Sequence, residues 1–98
     1  MESIETQGIR MPRLGFGTFR MPGMDCQPVV ESALALGYRH IDTATMYQNE
    51  AAVGAALAAS GVARGELHVT TKVWHDSLQP DAIRRSFDAS LANLKLDY

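Results

Sequence analysis

Gly37-Tyr38-Arg39-His40-Ile41-Asp42-Thr43-Ala44, followed after two residues by Tyr47-Gln48-Asn49-Glu50, is the stretch on which the fold turns. Gly37 ends a helical run in the left-handed position. His40–Ala44 reads as a short strand. Asn49 stands where a helix cap belongs, ahead of inward-facing Val53, Ala56 and Leu57, and Gly61 stops that helix. Upstream, Asp25 is a candidate cap for a first helix with Val29, Val30, Ala33, Leu34 and Leu36 on one broad apolar face. Before it, Leu14–Thr18 reads as a first core strand, and Met21-Pro22-Gly23 breaks regular structure. Residues 2–6 and 9–12 flank Gln7-Gly8, a hairpin turn weaker than Asn-Gly.

Downstream, Leu67–Val73 is a third strand, β-branched at Val69, Thr70, Thr71 and Val73. Pro80 suits the first position of a third helix, with Asp81 in its first turn. Ile83, Phe87, Leu91 and Leu94 form a helical stripe that reads as core rather than as a cofactor box. Leu96-Asp97-Tyr98 reads as the approach to a fourth strand. The order is β-α-β-α-β-α, with strand starts roughly 26 residues apart. Parallel strands covered by helices follow from it. A doubly wound sheet and a closed barrel both satisfy it.

Composition narrows the function. The 98 residues suffice for one small domain, and a net charge of −2 offers no basic excess for nucleic acid. The adjacent Arg84-Arg85 reads as a solvated helix face. One cysteine, Cys26, permits no intrachain disulfide and reads as a small packed residue. No signal peptide or membrane-length apolar run is present, so the expectation is a soluble cytoplasmic protein without membrane partners. His40, His68 and His75 lack metal-ligand spacing, so no metal is expected; His40 and His68 read as structural or solvated. Gly15-Phe16-Gly17-Thr18-Phe19-Arg20 begins like a dinucleotide fingerprint. Its third glycine is Arg20 and no helix follows at once, so that reading fails, although two glycines let a flat group approach the backbone.

Alternation supplies a better candidate. His40, Asp42 and Ala44 share one face of the second strand, and Thr70 and Lys72 share one face of the third. With the more apolar faces against helices, Asp42 and Lys72 meet on the other side, near the C-terminal strand ends. A structural ion pair satisfies that geometry equally well. Tyr47 lies five residues beyond Asp42 on the exit loop. A phenol, with a reference pKa of about 10, is a poor acid near neutrality; a neighbouring ammonium makes its proton transferable. Asp42, Lys72 and Tyr47 thus form a coherent proton-handling set, though a packed aromatic is the plainer role for Tyr47. Trp74 and His75 follow on a loop, where a large aromatic commonly lines a pocket.

These segments resemble the aldo-keto reductase superfamily. The resemblance is carried by Leu14–Phe19, Gly37–Ala44, Tyr47–Glu50 with Val53-Gly54, Thr70–Trp74 and Ser90–Tyr98, in family order and spacing across essentially the whole chain. It implies the N-terminal part of a (β/α)8 TIM barrel, a β-hairpin plus three βα units, with residues 1–98 a segment of one barrel domain and the active site at the C-terminal face. It implies hydride transfer from NADPH, with NADH not excluded, to an aldehyde or ketone. Tyr47 is then the proton donor, Lys72 lowers its pKa, and Asp42 pairs with Lys72. Gly17, Thr18, Phe19 and Asp42 lie beside the nicotinamide. Phe19, Tyr47 and Trp74 line the pocket for a small carbonyl substrate. The short loops are similar to the bacterial branch that reduces methylglyoxal and diketogluconate.

The resemblance implies a fourth catalytic residue, a histidine at the end of the fourth strand, and cofactor-phosphate contacts in the last strands and loops; both fall beyond residue 98. The expectation is a chain inactive by itself, with the barrel incomplete and open sheet edges inviting self-association. A cofactor-sensing regulatory subunit is the alternative function.

Overall fold

The computed structural model describes residues 1–98. Two short strands, β1 (Ser3–Thr6) and β2 (Ile9–Pro12), pair antiparallel with Thr6 opposite Ile9. Gln7 and Gly8 join them, both at positive φ (49° and 78°), the conformation a two-residue hairpin needs to match strand twist.

Three parallel strands follow in the order β3 (Phe16–Gly17), β4 (His40–Asp42) and β5 (His68–Thr70). Gly17 stands opposite Asp42, and Asp42 opposite Thr70. These strands are shorter than alternation predicts, two, three and three residues long. Backbone pairing nevertheless continues: the amides of Thr18, Thr43 and Thr45 donate to the carbonyls of Asp42, Thr70 and Lys72 at 3.0, 2.7 and 3.2 Å.

The helices are α1 (Gly23–Ala35), α2 (Glu50–Ser60) and α3 (Pro80–Leu94). Asp25 does not cap α1, which starts two residues earlier, inside the predicted break; Pro22's carbonyl accepts from the amides of Asp25 and Cys26 at 2.9 and 2.7 Å. The inward stripe of α1 is Cys26, Val30, Ala33 and Leu34, which leaves Leu36 exposed at the helix end and Val29 on the flank. Gly37 and Gly61 end α1 and α2 in left-handed conformations (φ 106° and 71°).

The core joins α1 and α2 to the sheet through Cys26, Val30, Leu34, Ile41, Val53, Ala56 and Leu57, with Leu67 and Leu94 completing it. Burying such side chains is worth about 1.5–3 kcal/mol each. At Gly54, α2 passes so close to the end of α3 that an added Cβ would stand 2.6 Å from Leu94's carbonyl oxygen. The stripe on α3 departs from its expected role. Leu94 is buried and Leu91 half-buried, but Ile83 and Phe87 are exposed, because nothing lies over the outer half of that face.

Candidate active site

The faces read from alternation are the observed ones. Ile41 and Thr43 point to the helices and are fully buried, while His40 and Asp42 point the other way. On that side His40 Nε2 lies 2.9 Å from Thr70 Oγ1, and Lys72 Nζ donates to Asp42 Oδ1 at 2.6 Å. Lys72 Nζ also donates to the Thr43 carbonyl at 3.1 Å and to Tyr47 Oη at 3.4 Å, and it stands 5.2 Å from the Tyr47 ring centre. All three donor positions of the ammonium are therefore engaged.

Partial burial pulls the Lys72 pKa down. The hydrogen bonds and charges of Asp42 and Tyr47 outweigh that and hold it above the ordinary lysine value. Lys72 is thus a fixed positive charge at neutral pH rather than a proton carrier. Burial pushes the Cys26 thiol upward, away from nucleophile behaviour.

Tyr47 is delivered by a single turn of 3-10 helix, Thr45–Tyr47. Gln48 then adopts a left-handed conformation (φ 57°), reversing the chain so that Tyr47 faces the strand ends while Asn49 turns into the interior. Trp74 and Tyr47 line a common cavity of about 310 Å³ with Ala44, Met46, Lys72 and Leu78, at the low end of ligand-pocket sizes. The His75 ring lies 4.3 Å from that of Trp74, at the same mouth. Phe19 is not in this cavity. Its ring packs against Tyr47 from another side, at 5.2 Å, and remains mostly exposed.

The expected cofactor-facing residues divide. A Cβ on Gly17 would meet nothing within 4 Å, and Phe19 offers an exposed ring, so this strand end can accept a flat group against backbone. Thr18 differs: its side chain is fully buried and its hydroxyl donates to the Asp42 carbonyl at 3.0 Å. No three His, Cys, Asp or Glu side chains converge as metal ligands, and no helix is long and apolar enough to cross a membrane.

Sequence reasoning missed the floor of the site. Asn49 occupies the cap position of α2, but its side chain makes no capping bond. It accepts from Thr43 Oγ1 at 2.6 Å and donates to the carbonyls of Thr18 and Met21 at 2.9 and 3.1 Å. Glu50, also buried, accepts from Thr71 Oγ1 at 2.7 Å. The available signal was Thr43, a polar residue on the helix-facing side of its strand, which requires a buried partner.

Residues 13–98 match the model of the Aldo/keto reductase family, and the chain belongs to that family. It is 49% identical over 88 residues to the methylglyoxal reductase DkgB of Salmonella typhi, which covers 90% of this chain and 33% of that protein. It is 43% identical over 91 residues to an aldo-keto reductase of Mycolicibacterium smegmatis, covering 93% and 33%. Among solved structures, a putative 2,5-diketo-D-gluconic acid reductase B superposes with a TM-score of 0.94 at 46% identity, over 100% of this chain and 35% of that one. An aldo/keto reductase from Brucella melitensis gives 0.94 at 39% identity, over 99% and 38%. The chain thus spans about a third of the length of the curated relatives it matches. It forms the hairpin and first three βα units of their (β/α)8 barrel, with no closed barrel of its own.

Proposed function

We propose that these residues carry the proton-delivery part of an NADPH-dependent carbonyl reductase, converting an aldehyde or ketone to an alcohol. One observation carries the reading: Lys72 Nζ bridges Asp42 Oδ1 and Tyr47 Oη at the C-terminal strand ends. A nicotinamide cofactor, when bound, supplies a hydride to the carbonyl carbon. Tyr47 Oη gives its proton to the carbonyl oxygen, and the ammonium of Lys72 stabilises the negative charge left on the phenol. Asp42 holds that ammonium in place. Gly17 and Phe19 provide the open backbone and ring against which the nicotinamide would lie. Trp74, Met46 and Leu78 wall the cavity on the substrate side, a size and polarity suited to a small carbonyl compound. Methylglyoxal and 2,5-diketo-D-gluconate, named for its relatives, are the first probes.

The test is NADPH consumption by the intact protein with these carbonyls. Tyr47→Phe should lower kcat by about 100- to 10,000-fold, the range of general acid catalysis. It should leave NADPH binding, read by nucleotide fluorescence, in place. Unchanged turnover would remove Tyr47 from the mechanism. The 98-residue chain alone should show no turnover, since its relatives close the barrel with about twice as much further sequence. Steady NADPH consumption by it would overturn that expectation.

A further inference from the structure

We propose that Asn49 is a positioning residue, fixing the Phe19 loop against the Tyr47 proton donor. This inference rests on reading the strand ends as a carbonyl-reducing site. Asn49 is almost fully buried, and its amide uses both donors on one loop and an acceptor on the segment that leaves β4. The two donors reach the carbonyls of Thr18 and Met21, the residues bracketing Phe19 and Arg20. The loop between them is folded tightly: Arg20 is left-handed (φ 58°), and the Met21 amide returns to the Thr18 carbonyl at 3.2 Å. A second anchor comes from Asp42, whose carbonyl accepts from both the amide and the hydroxyl of Thr18 at 3.0 Å.

The acceptor side of Asn49 takes the hydroxyl of Thr43, and the carbonyl of the same Thr43 receives Lys72 Nζ. Asn49 therefore links the backbone under Phe19 to the backbone under the ammonium, two residues after Tyr47 itself. Phe19 has little else to hold it. Its ring is 57% exposed and touches Tyr47 and the Arg20 guanidinium. An asparagine serving only to start α2 would bond the helix amides, and this one does not. Its polar atoms are spent on spacing the Phe19 loop against the segment that carries Tyr47.

Three variants of the intact protein test the idea. Asn49→Asp keeps shape and the acceptor for Thr43 but removes both donors. Thr43→Val removes only the hydroxyl bond. Asn49→Ala removes everything. Asn49→Asp and Asn49→Ala should lower kcat on the order of 100-fold, the cost of an ångström-scale misplacement, with the KM for the carbonyl changed much less. Thr43→Val should move kcat in the same direction by less. A merely structural role would not erase the nuclear Overhauser contact between the Phe19 and Tyr47 rings in a folded variant, so loss of that contact is the decisive readout. Wild-type kcat in Asn49→Asp, or an intact ring contact despite a fallen kcat, overturns the proposal. If Asn49→Ala does not fold, the other two variants decide. No carbonyl reduction by the unsubstituted protein would sink the functional reading instead, while the ring contact would still decide the role of Asn49.

Discussion

Helices α2 and α3 make opposite use of their apolar residues. α2 has a weak stripe of small residues, Val53, Gly54, Ala56 and Leu57, yet every one is buried. α3 has a well-spaced stripe and leaves Ile83 and Phe87 in solvent. α2 lies between α1 and α3, with its first residues woven into the floor of the site. α3 meets α2 near its own C-terminal end, where Leu94 lies against Gly54 and Asn93 Nδ2 donates to Glu50 Oε1 at 3.4 Å. Amphipathic spacing records which face a helix would bury, and the neighbours present decide whether it does.

The largest effects should come from α2. Leu57→Ala removes buried volume from the centre of the core and should cost about 2–5 kcal/mol. Gly54→Ala places a methyl against the backbone of Asn93 and Leu94, which cannot yield as a side chain could. It should cost about 1–3 kcal/mol, even though alanine favours helix by about 1 kcal/mol. Urea unfolding reads both as a lower midpoint at unchanged slope. A neutral Gly54→Ala would mean that α3 stands further from α2 than described.

The opposite result is expected on α3. Phe87→Ala should change stability by no more than about 0.5 kcal/mol, because its ring is already exposed. Phe87 lies beside Val69 and Thr71 at the open edge of β5, and we propose that any self-association of this chain runs through this surface. Sedimentation at two concentrations should therefore show Phe87→Ala and Ile83→Ser less associated than the unsubstituted chain. A large stability loss in Phe87→Ala would break the contrast between the helices, since it would require the ring to be covered.

The contrast also explains what the sequence disclosed. The hairpin at Gln7-Gly8, the helix ends at Gly37 and Gly61 and the shared face of Asp42 and Lys72 all follow from local geometry, and local geometry is legible. Asp25 failed as a cap because Pro22 supplied the carbonyl that starts α1. A cap position and a buried bridge demand the same residue type at Asn49, and what distinguishes them is its partners: Thr43, six residues back, and the carbonyls of Met21 and Thr18, 28 and 31 residues away. The resemblance implies one pocket for Phe19, Tyr47 and Trp74; in this chain Trp74 and Tyr47 line the cavity, and Phe19 packs on another side of Tyr47.

The smallest effect concerns Lys72, which lies on the segment leading to α3 and reaches Asp42, Thr43 and Tyr47 ahead of α2. Its folded pKa is raised, so its contribution is present in full below the unfolded lysine value, about 10.4, and is lost as pH climbs through the higher folded value. The Lys72 and Asp42 side chains are 50% and 34% exposed, and solvent screens much of the pair. The urea midpoint of the unsubstituted chain should exceed that of Lys72→Met by a small margin, constant from neutrality to about pH 10 and shrinking above it. A margin that vanished between pH 6 and 8 would show the ammonium released near neutrality. The charge beside Tyr47 would then be absent at the pH where the proposed proton transfer must run.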